Sequence, residues 1–256
     1  MNRALVLPVL AAFSGCVGVQ IKKDQVTAAK KVALVAYTGT LSLEDQSYNS
    51  SKNSVTGTIG AAKGLADLTS GKQGARRKEQ ALASREELAK RLAATLGWEL
   101  VPTEALAAAP AYADAVAKSH GLARQATQNL DGVLMSYELS RFKPAQLAAL
   151  ATALGVDALL TVQLTYTVGK TGGVSVGGFG STTRFPVATV QFTVYDKAGQ
   201  VIWSDPYARG AVTTEGLRTT MGADIVENES EVLNEAARTA FDAVISNYQT
   251  YQEPKK

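Results

Sequence analysis

Apolar and polar residues alternate most regularly in the second half of the chain. In DALLTVQLTYTVG (residues 157–169), Leu160, Val162, Leu164, Tyr166 and Val168 are separated by Thr161, Gln163, Thr165 and Thr167. A period of two puts the first set on one face of an extended chain and the second on the other, which predicts a half-buried strand. VATVQFTVYD (187–196) repeats the pattern with Val190, Phe192 and Val194, and QVIWSDPYA (200–208) resumes it after the turn DKAG. Three such runs in succession predict an antiparallel meander. The period then changes: Leu233, Ala237, Ala240, Phe241, Val244, Ile245 and Tyr248 recur three and four apart, the stripe of a helix laid on that sheet. Asn228 and Glu231 resemble a capping pair at its start.

The first half is less regular. KVALVAYTG (31–39) is a continuous apolar run with β-branched residues, closed by glycine, and predicts a buried strand. Residues 41–80 are rich in Ser, Thr, Asn, Gly and Lys and read as a polar surface insertion. From 76 to 96 the pattern turns helical, with Leu82, Arg85, Ala89, Leu92 and Leu96 on one side and Gly97 as the stop. WELV follows as a short strand, then an alanine-rich helix capped by Thr103 and interrupted at Pro110. Residues 122–142 have no clear pattern. Pro144 opens a helix with Leu147, Leu150, Ala151 and Leu154 on one side, closed by Gly155. The expected fold is α/β (α+β): a mixed sheet with a C-terminal three-stranded antiparallel meander, packed by helices, in one domain over 32–256.

The amino terminus reads as an address. A positive start at Met1 and Arg3, an apolar run from Ala4 to Phe13 and the small pair Ser14-Gly15 form an export signal over 1–15. The run is shorter than the roughly 20 residues a bilayer crossing needs and contains Pro8. LAAFSGC resembles the lipobox of bacterial lipoproteins, in which the chain is cut before the cysteine and the cysteine is acylated. Cys16 is the expected lipidation site and the only cysteine. The alternatives are an ordinary secretory signal with a coincidental cysteine, or a buried thiol. Residues 16–31, with Lys22, Lys23, Lys30 and Lys31, read as a flexible tether. Val17 and Gly18, rather than aspartate, follow the cysteine, which by the lipoprotein analogy implies the periplasmic face of the outer membrane.

Composition excludes more than it suggests. A formal charge of +3, dropping by one when Arg3 is removed, is too small for a nucleic-acid binder. Apolar residues at 46% and charged ones at 19% describe a globular chain. VGKTGG (168–173) lacks the earlier glycine of a phosphate loop, where Leu164 stands instead. It reads better as part of a glycine-rich hairpin, 169–180, that projects from the domain. His120 is the single histidine, at an expected helix end. Asp157, Asp196 and Asp205 are assigned to turns, and Trp98 and Trp203 to the core. Arg76, Arg77 and Lys78 form a basic cluster suited to a solvated face or to anionic lipid or wall polymer. No catalytic, cofactor-binding or metal-binding residue is nominated, and no enzyme activity is expected.

The order of elements carries a resemblance. VALVAY, a long helix, LGVDALLTVQL, VQFTVYDKAGQVIW and a final helix are similar to the periplasmic α/β domains of three envelope proteins. These are the curli secretion-channel lipoprotein, the lipoprotein activator of penicillin-binding proteins and the amino-terminal domain of the Tol β-propeller protein. Gly155-Val156-Asp157-Ala158 and the turn with Tyr195, Asp196 and Gly199 are the local matches. The resemblance implies a non-enzymatic lipoprotein that binds or regulates another envelope protein. The alternative it leaves is an oligomeric outer-membrane channel or secretion component, several copies each contributing the hairpin.

Overall fold

The computed structural model describes residues 18–39, 72–119, 142–176, 179–211 and 229–252. In chain order the elements are β1 (Gln20–Ile21), α1 (Lys23–Ala28), β2 (Lys31–Gly39), α2 (Lys72–Leu96), β3 (Glu99–Leu100), α3 (Thr103–Ala108) and α4 (Pro110–Ser119). They continue with α5 (Pro144–Leu154), β4 (Ala158–Val176), β5 (Phe179–Asp196), β6 (Val201–Ala211) and α6 (Glu229–Thr250). The strands form one mixed sheet in the order β1-β6-β5-β4-β2-β3. The expected meander is β4-β5-β6, antiparallel throughout. β2 lies parallel to both β4 and β3, and β1 antiparallel to β6.

The hydrophobic pattern explains which face each helix covers. Leu160, Val162, Leu164 and Tyr166 share one face with Val190, Phe192, Val194 and Trp203, and α6 lies on it through Leu233, Ala237, Ala240, Phe241 and Val244. Leu88 and Leu92 of α2 join this cluster. β2 shows no alternation because it is buried on both sides: Val32, Leu34 and Tyr37 face α6 and α2, while Ala33, Val35 and Ala36 pack with Leu106, Tyr112, Leu147 and Leu150 of α3, α4 and α5. The predicted stripe on α2 is shifted: Leu82 is exposed, and the inward residues are Ser84, Arg85, Leu88 and Leu92.

Trp203 is the centre of the larger cluster. Its ring lies 4.5 Å from Phe192 and 5.0 Å from Tyr248, with Trp98 edge-on at 6.4 Å. Trp98 in turn donates its indole N–H to the Val26 carbonyl at 3.3 Å. Both tryptophans are therefore core residues, as their placement among apolar neighbours implied.

Four local expectations are corrected. The stretch 16–31, expected as a flexible tether, is built into the sheet from Gln20 onward: Ile21, Val26 and Ala29 are buried, and Lys22 N–H bonds the Ile202 carbonyl at 2.8 Å. The polar insertion ends earlier than residue 80, since α2 begins at Lys72; residues 40–71 lie outside the described residues. Thr103 does not cap α3, whose N-cap is Pro102; its hydroxyl accepts a bond from Arg85 instead. Asp205 is not in a turn but inside β6, at a bulge where Asp205 stands opposite Phe192 and Ala208 opposite Val190. The bulge accommodates Pro206, which cannot donate to a ladder.

Helix α6 approaches β6 at a single point that admits no side chain. A Cβ on Gly210 would lie 2.1 Å from the Ala240 nitrogen and 2.6 Å from the Ala236 carbonyl oxygen, both backbone atoms of the helix. Because a helix backbone yields only by moving as a whole, Gly210→Ala should cost about 3 kcal/mol, the upper part of the range for overpacking. The urea midpoint should fall accordingly. Gly18→Ala, with nothing within 4 Å of the new methyl, should leave it unchanged.

Candidate functional site

The longest strands outrun their neighbours in the sheet. β4 and β5 have 19 and 18 residues, against a usual length of about 5–6. β2 accompanies β4 only as far as Leu164, and β6 accompanies β5 only from Val187. Beyond those points the two strands continue alone, from Val168 opposite Pro186 to Val176 opposite Phe179. At about 3.4 Å per residue this is a two-stranded ribbon roughly 30 Å long. Among the described residues no third strand pairs with either of its edges.

The segment expected as a projecting glycine-rich hairpin, 169–180, is such a hairpin, mostly ladder, with one irregularity between Thr171 and Val174. VGKTGG lies inside β4, with no helix after it. At the root of the ribbon, Gly169 stands opposite Phe185, whose ring occupies the space a Cβ would take, 2.6 Å away.

The direction of β1 relates this ribbon to the amino terminus. Gln20 pairs with Ser204 and Ile21 with Trp203, so β1 read backward from Ile21 to Gln20 runs the way β6 runs, towards Ala211. The ribbon projects in that same direction, because Ala211 pairs with Val187 and β5 reaches the ribbon by decreasing number. Four residues of chain span at most about 14 Å. The chain therefore ties Cys16 within that distance of Gln20. Cys16 and His120 both lie outside the described residues.

The three aspartates have separate structural tasks. Asp196 Oδ1 accepts the N–H groups of Ala198 and Gln200 at 2.9 and 2.8 Å, closing the β5–β6 turn. Asp157 Oδ2 accepts those of Lys30 and Lys31, each at 2.9 Å, and ties the starts of β4 and β2 together. Asp205, 1% exposed, accepts from Asn247 Nδ2 of α6 at 2.8 Å. Among the described residues no group of three His, Cys, Asp or Glu side chains is placed to hold a metal ion. Arg76, Arg77 and Lys78 lie on the first part of α2.

A buried polar cluster at the free edge of β2 escaped the sequence reading. β3 pairs with β2 only at Lys31 and Val32. Past it, Arg85 of α2 donates to the Leu34 carbonyl at 3.5 Å and to Thr103 Oγ1. Tyr112 of α4 donates to the Val35 carbonyl at 2.6 Å, at the register shift between Leu34 and Ala36. Tyr37 and Ser84 share a 2.7 Å hydroxyl bond beside them. Arg85 is 6% exposed, its Nε has no partner, and no carboxylate among the described residues forms an ion pair with it. Burial pushes its pKa down and that of Tyr37 up, so a cation stands among neutral hydroxyls. Burying an unpaired charge costs several kcal/mol. The signal in the sequence was an arginine on an otherwise apolar helix face.

Two of the aspartates should oppose each other as pH changes. Backbone N–H groups of Lys31 and Lys30 hold the Asp157 carboxyl below its ordinary range. Its stabilisation is full above about pH 4, the unfolded value, and is lost as pH falls through the folded one. Burial pushes the Asp205 carboxyl up, so its ionisation costs stability, which falls as pH rises from about 4 through the folded value. In thermal melts, the advantage of wild type over Asp157→Asn should shrink on acidification. Wild type should gain on Asp205→Asn over the same change.

Searches for relatives add no family: no family model, no curated protein and no solved structure matches the chain.

Proposed function

We propose that this chain is a non-enzymatic lipoprotein of the cell envelope, held by lipid on Cys16 at the periplasmic face of the outer membrane, that binds and regulates another envelope protein through the β4–β5 ribbon. The observation that supports this reading is the ribbon itself. A two-stranded hairpin is marginal alone in water, and its edges present unpaired N–H and carbonyl groups. Adding a strand from a partner satisfies those groups and orders the ribbon, the mode known as β-augmentation. The lipid confines the domain to a layer beside the membrane and raises its effective concentration near partners held there. No described helix is long and apolar enough to cross a membrane, and the lipid supplies attachment in this reading.

A second reading has its own support. β1, read backward from Ile21 to Gln20, runs in the direction in which the ribbon projects, and each strand of the ribbon approaches the 9–11 residues of a transmembrane strand. Several copies contributing ribbons to one closed barrel would satisfy the same edges within the bilayer. The chain would then be an oligomeric channel or secretion component.

Three measurements on the full-length lipidated chain separate these. Cys16→Ser should move the protein from the membrane fraction to the soluble one; continued membrane attachment would remove the lipid anchor from the reading. Crosslinking in intact cells should give a discrete adduct with another envelope protein. That adduct should vanish when residues 169–185 are replaced by an Asn-Gly turn that leaves the melting temperature almost unchanged. An adduct that survives the replacement would sink the ribbon as the contact surface. Light scattering in mild detergent should give a monomer or small oligomer, whereas a large discrete mass confined to the lipidated, full-ribbon chain would establish the second reading.

A further inference from the structure

We propose that Arg85, buried beside β2 past the end of β3, is the centre of a carboxylate-binding site. The site is independent of the ribbon and of the lipid anchor. Its walls are the middle of α2, the edge of β2 beyond β3, and the start of α3. The guanidinium uses one N–H on the Leu34 carbonyl and one on Thr103 Oγ1, which leaves Nε–H and the remaining Nη hydrogens without acceptors although the side chain is buried. An edge cap alone does not explain this residue. Capping a carbonyl needs a single donor, which the neutral hydroxyl of Tyr112 supplies one residue further along at Val35. The unpartnered Nε–H lies on the Nε/Nη2 edge of the guanidinium, one of the edges that can take the two oxygens of a carboxylate.

The neighbours fit an anion and no other ligand class. Glu104 and Glu86 are near enough to be felt electrostatically but are exposed, and neither pairs with Arg85. The groups in contact with it are a hydroxyl and a carbonyl, both uncharged. Thr103, having accepted from Arg85, keeps its own proton to donate. An incoming carboxylate would thus meet a charged fork and a hydroxyl donor with no competing negative group in contact.

The test uses the full-length chain and acetate as the probe. Sodium acetate replaces sodium chloride at constant ionic strength and neutral pH, while the Arg85 Nε–H resonance is followed by nitrogen-15 NMR and the melting temperature is recorded. We expect a saturable shift of that resonance and a melting temperature a few degrees above the chloride value, with both responses lost in Arg85→Gln. Should Arg85→Gln fail to fold, Arg85→Lys keeps the charge without the fork and should weaken the acetate response at least several-fold. A short peptide with a free carboxyl end, run against its amide, tells a polypeptide end from a small acid as the source; binding by either supports the site. An Arg85 resonance indifferent to acetate overturns the proposal. So does one that saturates with phosphate and not with acetate.

Discussion

One antiparallel ladder, β4 against β5, carries both the core of this domain and the element that projects from it. The register runs from Ala158 opposite Asp196 to Val176 opposite Phe179 with a single irregularity. In the first half it is locked by burial, because a slip of one residue would turn Leu160, Val162 and Leu164 away from α6 and bring Thr161 and Gln163 inward. The second half has no covering layer among the described residues and takes its register from the first. The ribbon is therefore as well defined as its root, and whatever stabilises the root also aims the ribbon.

The root is held from several directions. α6 closes on β6 at Gly210 and binds the bulge through Asn247 and Asp205. Arg91 of α2 bonds Asp242 of α6 and its own-helix neighbour Glu87, joining the two helices that cover one face. On the other face, the turn closing β5 and β6 sits against α5. A Cβ on Gly199, whose φ is 75°, would meet the Pro144 carbonyl oxygen at 2.1 Å. Gly199 meets two demands that other residues cannot meet together, a left-handed backbone and an absent side chain. Asp157 then fastens β2 to β4 through two backbone N–H groups. Each of these contacts is local, and together they leave the root little freedom to shear.

The parts of this fold legible in the sequence are those in which burial follows a regular period. The meander and α6 announced themselves because one face of each is apolar and buried and the other is mainly polar. β1 and α1 did not, since a two-residue strand and a six-residue helix with Val26 as its one buried residue are held by tertiary contacts rather than by their own propensity. The projecting hairpin at 169–180 was legible because Val174 and Val176 continue the alternation through the glycines, and pairing along the ladder overrides their low strand propensity. Pro206 signalled a turn, and the bulge absorbs it. Arg85 was counted in an apolar stripe by its spacing alone. Its charge was the informative property, and only the placement of β2's free edge gives that charge a context.

The clamping of β1 changes what a lipid on Cys16 would mean. A flexible tether would let the domain turn any side to the membrane and reach partners well above it. With Gln20 fixed to Ser204, lipid on Cys16 would hold the bilayer surface within about 14 Å of Gln20. Thr193 of β5 stands opposite Ser204, and the end of the ribbon at Phe179 lies roughly 45 Å further on in the same direction. Under the proposed lipid anchor, then, the body of the domain would stay close against the bilayer, and a partner able to reach the ribbon would be one held near the membrane as well.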